Sequence, residues 1–173
     1  VFFGTGSFAE TIFSHFIGQN AYRVVALVTQ PDRPVGRKHT LTAPPVKLIA
    51  QAHGIVTYQP ETLRTYTPPF ADLYVVAQYG NILPERLLLI PTYGVINTHT
   101  SLLPKYRGPS PIQTAIANGE HETGVTIMKM EKRMDTGAII SQEIVKIDPQ
   151  ETYGALEARL AQISATLLSQ SIE

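Results

Sequence analysis

The 173-residue chain contains no cysteine. That excludes disulfide staples, thiolate metal ligands and a thiol nucleophile, and it gives no sign of an oxidising compartment. Charge is sparse and balanced: charged residues are 16% of the chain, and 14 basic side chains face 14 acidic ones. A wholesale polyanion-binding surface is excluded, although a local basic patch is not. No apolar run reaches the ~18 residues that a membrane span needs. Val1 stands inside an apolar run, with no signal peptide before it and no initiating Met, which reads as a trimmed chain. Internal repeats and low-complexity tracts are also lacking. What remains is a chain that is 43% hydrophobic, the balance of a folded domain with one substantial core.

The periodicities alternate between strand and helix. Val1 to Phe3 is an apolar strand ending at Gly4-Thr5-Gly6, and Ser7 to Ile17 repeats apolar residues at helical spacing. Tyr22 to Val28 is a β-branched strand, followed by a long loop from Gln30 to Pro45. Val46 to His53 is expected as a short helix, Ile55 to Tyr58 as a short strand and Leu73 to Ala77 as a buried one. Pro68-Pro69 rules out a helix over 65–69. Tyr93 to Thr98 follows as a strand and Pro111 to Asn118 as a helix closed by Gly119. Gly124 to Met130 and Ile139 to Ile147 form a long hairpin. Thr152 caps a final helix to Ile172, with Leu156, Leu160, Ile163, Leu167 and Leu168 in one stripe. The order predicts an α/β fold: a doubly wound, mostly parallel, Rossmann-like sheet with a mixed C-terminal β-hairpin.

In such a sheet ligands bind beyond the carboxyl ends of the strands. Four segments fall there: Gly4-Thr5-Gly6, Gln78 to Asn81, Asn97-Thr98-His99 and the turn at Asp135. Gly4 to Ala9 fits G-x-G-x-x-A, the dinucleotide fingerprint, but the second strand ends in Val28-Thr29-Gln30-Pro31 without the ribose-binding acid. A strand-to-helix turn that needs glycine explains the same residues. Strand alternation puts Asn97 and His99 on one side. An amide donor and an imidazole two residues apart can converge on one carbonyl oxygen, an arrangement that stabilises an oxyanion; a histidine satisfied at a strand end is the plainer alternative. Asp135 either closes an Asx turn or orients the imidazole. No good nucleophile stands beside them, since Ser101 lacks the glycine-flanked elbow. The set therefore suits attack by the substrate's own nucleophile on a bound carbonyl. His15, His53 and His121 are read as structural or solvated, and His39 as part of the charged loop.

Taken together, the stretch from Gly94 through Asn97, His99, Ser101, Pro104 and Arg107 to Ile112 resembles the folate-dependent formyltransferases. So does Glu122 to Met130 running into Asp135-Thr136-Gly137. Within that superfamily, Val28 to Lys38 and Leu41 to Lys47 are similar to the enzymes that formylate initiator methionyl-tRNA. The resemblance covers nearly the whole chain. It implies a formyltransferase catalytic domain over residues 1–173, a fragment lacking the tRNA-binding C-terminal β-barrel. It implies Asn97, His99 and Asp135 as catalytic, and 10-formyltetrahydrofolate as co-substrate, with no metal. Ser101, Leu102, Leu103 and Pro104 match the family's folate-contacting segment. Gln78, Tyr79, Gly80, Asn81, Ile82 and Leu83 match the loop that lines its pterin pocket. Two positions depart from the family pattern, Gly6 where proline is usual and Gln78 where a small or apolar residue is usual.

The loop from Asp32 to Lys47 carries Arg33, Arg37, Lys38 and Lys47 against one acid, Asp32. Alone this is a solvated charged loop; beside the resemblance it implies contact with RNA phosphates. The implied partners are initiator methionyl-tRNA and folate, for a monomer in the cytoplasm or an organelle matrix, with no membrane association. Two other readings stay open: the same chemistry on the amine of a nucleotide sugar, and a dinucleotide-binding module.

Overall fold

In the computed structural model, which describes residues 1–172, the chain runs β1 (Phe2–Gly4), α1 (Ser7–Ile17), β2 (Leu27–Val28), β3 (Arg33–Val35), β4 (Thr40–Thr42), α2 (Pro45–Ala52), β5 (Thr57–Tyr58), β6 (Tyr74–Ala77), α3 (Glu85–Leu88), β7 (Val95–His99), α4 (Pro111–Ala117), β8 (Glu122–Lys129), β9 (Ile139–Lys146) and α5 (Tyr153–Ile172). The main sheet has the order β5-β2-β1-β6-β7-β8-β9. Its first five strands are parallel, while β8 and β9 run antiparallel to their neighbours. The chain winds outward from β1 in both directions, so the β1–β6 boundary is the point of reversal where a crevice opens. This is the expected doubly wound sheet with its antiparallel hairpin.

The pleat divides the core into two layers. Phe2, Leu27, Val75, Ala77, Ile96, Val125 and Ile127 point to one face, against Phe8, Ile12, Phe13 and Phe16 of α1 and Leu156, Leu160 and Leu168 of α5. Their neighbours Val1, Phe3, Val28, Tyr74, Val76 and Val95 point to the other, which is covered by Leu63, Ala71, Tyr79, Leu83 and Leu87 from loops and α3. The stripe on α5 is as expected: Leu156, Leu160 and Leu168 are fully buried and Ile163 packs half-buried against them. Thr152 Oγ1 accepts from the Ala155 N–H at 3.3 Å, satisfying a donor at the helix start.

Two local expectations are corrected, and one short element is added. The segment from Gln30 to Pro45 is not plain loop, because β3 and β4 pair into a small ribbon within it. Both strands are exposed throughout, so no apolar alternation marked them. The strand expected from Tyr22 shrinks to Leu27–Val28, since β1 offers partners only to those two residues. Tyr22 instead packs on the helical side and donates its hydroxyl to the Ser169 carbonyl at 3.1 Å. Finally, Glu85–Leu88 forms a short helix, started by Pro84 and anchored by buried Leu87.

Candidate active site

Strand pairing fixes the direction of the two side chains singled out on β7. Asn97 lies between Val76 of β6 and Met128 of β8, and His99 opposite Thr126 of β8. Cross-strand partners share a face, so both side chains point to the loop-covered layer at the carboxyl end of the sheet. His99 is nearly buried. Its Nε2 lies 2.9 Å from the Tyr106 carbonyl. A carbonyl only accepts, so Nε2 carries the proton there and Nδ1 is the nitrogen left for other partners. Nδ1 lies 3.9 Å from Asp135 Oδ2, beyond the ~3.2 Å reach of a direct hydrogen bond.

Asp135 arrives from the turn between β8 and β9. Its φ is +52°, a left-handed conformation that aspartate tolerates better than most residues. Its Oδ2 accepts the Gly108 N–H at 2.8 Å. Gly137, two residues on, crosses Lys129 so closely that a Cβ there would fall 1.8 Å from the Lys129 carbonyl oxygen. The hairpin tip is thereby pinched, and the carboxylate is held at both its side chain and its backbone.

The loop after β7 is fastened from behind. Ser101 Oγ donates to the Lys105 carbonyl at 2.6 Å, and Thr126 Oγ1 donates to the Ser101 carbonyl at 2.6 Å. Thr126 Oγ1 accepts in turn from the Leu103 N–H and from Gln142 Nε2, which also reaches the Leu103 carbonyl at 3.0 Å. The Tyr106 hydroxyl donates to Glu120, and Lys105 pairs with the same carboxylate at 2.6 Å. Lys105 first, then Tyr106, hold the Glu120 carboxyl below the usual carboxylate range. These bonds fix the Tyr106 carbonyl, and through it the ring of His99.

A cleft of about 430 Å³ opens over this corner. Asn97, His99 and Asp135 line it; so do Val76, Tyr79, Leu83 and Met130 of the loop-covered layer, with Met128, and Phe8 and Ile112 of the helix-covered layer, with Gln113, Tyr153 and Glu157. Gln78, Gly80, Asn81 and Ile82 also line it, so the whole segment from Gln78 to Leu83 faces the cleft with the three polar residues. Of the segment after β7, Ser101 is fully buried and Leu103 nearly so behind the cleft, Leu102 is half-buried and Pro104 is exposed. Burial lifts the Tyr79 hydroxyl to about 12, so it stays protonated. The helix-side end, with Gln113, Tyr153 and Glu157, was missed in the sequence. Its signal is weak: these residues belong to the first turns of α4 and α5, which face the strand ends only once the sheet is assembled.

The two departures from the family pattern prove to be one contact. A Cβ built on Gly6 would fall 2.3 Å from Gln78 Oε1. The glycine turn accommodates a glutamine side chain from the adjacent strand end. Of the loop cations, Arg33, Arg37 and Lys38 are exposed on the β3–β4 ribbon and the turn joining its strands, with Arg33 Nη2 3.2 Å from Gln30 Oε1. Lys47 is different: it contacts both Asp32 oxygens at 2.8 Å. Gln59's amide and then Lys47 hold the Asp32 carboxyl below its usual range. Lys47 is thus half-buried and committed to an internal partner. Among the described residues no three carboxylate or imidazole side chains cluster to hold a metal ion, and no helix is long and apolar enough to cross a membrane.

Comparison with known proteins gives one answer. Residues 1–172 match the family model described as formyl transferase. The methionyl-tRNA formyltransferase of Staphylococcus aureus strain Newman is 45% identical over 99% of this chain and 57% of its own length. The chain thus spans little more than half the length of such curated relatives. Among solved structures, phosphoribosylglycinamide formyltransferase from Bacillus halodurans superposes with a TM-score of 0.76 at 27% identity, covering 98% of this chain and 91% of its own. The sugar 3N-formyltransferase WlaRD superposes with a TM-score of 0.77 at 22% identity, over 99% of this chain and 60% of its own, a likeness of fold alone. The chain belongs to the formyl transferase family.

Proposed function

We propose that this chain is the catalytic domain of an enzyme that moves a formyl group from 10-formyltetrahydrofolate to the amino group of initiator methionyl-tRNA, acting as a monomer in the cytoplasm or an organelle matrix. The carrying observation is the cleft corner where Asn97 and His99 share one face of β7 and Asp135 meets them from the hairpin. The tRNA acceptor is supported by the 45% identity to a relative named for it. In that reading a β-barrel domain beyond this chain helps to hold the tRNA.

The folate co-substrate fits the residues present. The end of the cleft lined by Val76, Tyr79 to Leu83, Met128 and Met130 offers apolar surface beside backbone polar groups, the surroundings a flat heteroaromatic ring needs. When bound, the folate supplies an activated one-carbon carbonyl. Asn97 Nδ2 and His99 Nδ1, as imidazolium, donate to the oxygen of that carbonyl as negative charge develops on it. The Tyr106 carbonyl accepts from Nε2 and holds the ring orientation, leaving Nδ1 turned to the cleft. Asp135 faces the ring across the 3.9 Å gap; as the amine nitrogen bonds to the formyl carbon it takes up the proton that nitrogen releases, and it returns that proton to the folate nitrogen as the bond from the formyl carbon to that nitrogen breaks. Ser101 to Pro104 act from behind, keeping the loop and the Tyr106 carbonyl in register. Arg33, Arg37 and Lys38 meet RNA phosphates; Lys47 assists them only indirectly, by bracing Asp32 at the root of the ribbon.

The test is direct. Labelled formyl from 10-formyltetrahydrofolate should pass to methionyl-tRNA. Transfer to the amine of a nucleotide-linked sugar without transfer to methionyl-tRNA would reject the acceptor assignment.

A further inference from the structure

At the helix-side end of the cleft one carboxylate is held by three donors. Gln78 Nε2 donates to Glu157 Oε1 at 3.1 Å and the Tyr153 hydroxyl to the same oxygen at 2.5 Å. Ser7 Oγ donates to Glu157 Oε2 at 3.2 Å. These donors come from three separated segments: the turn into α1, the end of β6 and the first turn of α5. Burial, then the bond to Glu157, lifts the Tyr153 hydroxyl to about 12, so it remains a donor across the physiological range. Among the described residues no lysine, arginine or histidine pairs with Glu157. The carboxylate is therefore organised by neutral donors in the cleft wall, with no cation beside it among the described residues.

Its position matters because of what lies behind it. The turn Gly4-Thr5-Gly6 and the start of α1 form the part of the sheet edge most favourable to an anion, where helix N–H groups point outward. That place is filled from within: Gln78 Oε1 occupies the space over Gly6, and Glu157 reaches Ser7 at the first helical residue. A phosphate entering here meets a side chain in its way and a like charge beside it.

We propose that Glu157, braced by Gln78, is a specificity-determining residue that bars phosphorylated small amines from the acceptor side of the cleft. The inference deepens the functional reading above: an amine on an aminoacyl ester reaches the formyl carbon, whereas an amine carrying its own terminal phosphate is repelled. Specificity of this kind rests on an unfavourable contact with the wrong ligand rather than a better one with the right ligand. The solved relatives named for phosphoribosylglycinamide supply the probe, an amine with a phosphate on the same small molecule.

Binding of phosphoribosylglycinamide is measured by calorimetry on the protein and on Glu157→Gln and Gln78→Ala, with a non-reactive folate analogue present and ionic strength fixed. Glu157→Gln removes the charge and keeps the bulk, whereas Gln78→Ala removes the bulk over Gly6 together with the brace on Glu157, so the charge is read separately from its support. Each variant is expected to gain about tenfold in affinity, the factor given by ~1.4 kcal/mol. Equal affinity in the protein and both variants overturns the proposal. So does strong inhibition of the unmodified protein's formyl transfer by phosphoribosylglycinamide. Failure of methionyl-tRNA formylation strikes the acceptor assignment instead, because the binding comparison does not depend on turnover.

Discussion

At the end of β7 the imidazole, the acid and the loop behind them are held by other polar groups, whereas on the β3–β4 ribbon the side chains stand exposed. His99 leans on the Tyr106 carbonyl, Tyr106 on Glu120, and Asp135 on the Gly108 amide. Arg37 and Lys38, by contrast, stand exposed in the turn joining two short exposed strands. The first region is built for one geometry, as charge stabilisation on a single oxygen requires. The second is built for reach, and on the proposed reading that suffices to meet a phosphate backbone that carries charge at every step. The same chain thus separates precision from steering, about 60 residues apart in sequence.

The largest break in that contrast is His99→Ala. It removes the Nδ1 donor, and kcat should fall by about 10²–10³-fold, the effect of losing one oxyanion donor. The folate-analogue dissociation constant should hardly move. Near-normal turnover would remove His99 from the mechanism. Asp135→Asn is the next test, chosen because asparagine also tolerates the left-handed backbone at that position. Turnover should drop by about 10²-fold while the melting temperature stays close to that of the unmodified protein. An unaltered pH–rate profile in this variant would show that the carboxylate acts only as a turn.

Thr126→Val asks whether the backing matters as much as the lining. It strips partners from the Ser101 carbonyl and the Leu103 amide. Leaving buried groups unpaired should destabilise by about 1–3 kcal/mol, a fall of several degrees in Tm, and turnover should decline with it. An unchanged Tm would mean the loop is held by other means. The smallest effect belongs to the ribbon. Arg37→Ala should weaken tRNA binding a few-fold and reduce the salt slope by about one, with kcat at saturation unaltered. If the slope is unchanged, the ribbon is a solvated feature and the contrast between the two regions loses its functional half.

The same contrast explains what the sequence revealed. Asn97 and His99 were legible because strand alternation alone fixes their side, and Asp135 because the turn carrying it interrupts two apolar strands. The mostly parallel α/β sheet followed from strands alternating with helices. The ribbon was hidden because Arg33 to Val35 and Thr40 to Thr42 bury nothing and so show no period. The fastening of Ser101 to Pro104 was hidden too: their backbone is held by Thr126 and Gln142, more than 20 residues away. Lys47 counted as one more loop cation until its distance to Asp32 was known.

The reversal of direction at β8 has a consequence for how such a site can change over time. Two of the three polar groups are carried by a central strand locked between neighbours, so neither can shift without disturbing the sheet. The third hangs from the tip of a two-stranded arm whose far edge is free. A residue inserted or lost between Met130 and Gly137 would move the acid alone and leave the amide and the ring where they stand. Descendants of this fold can reposition the acid by altering one turn, while the amide and the imidazole are inherited in place.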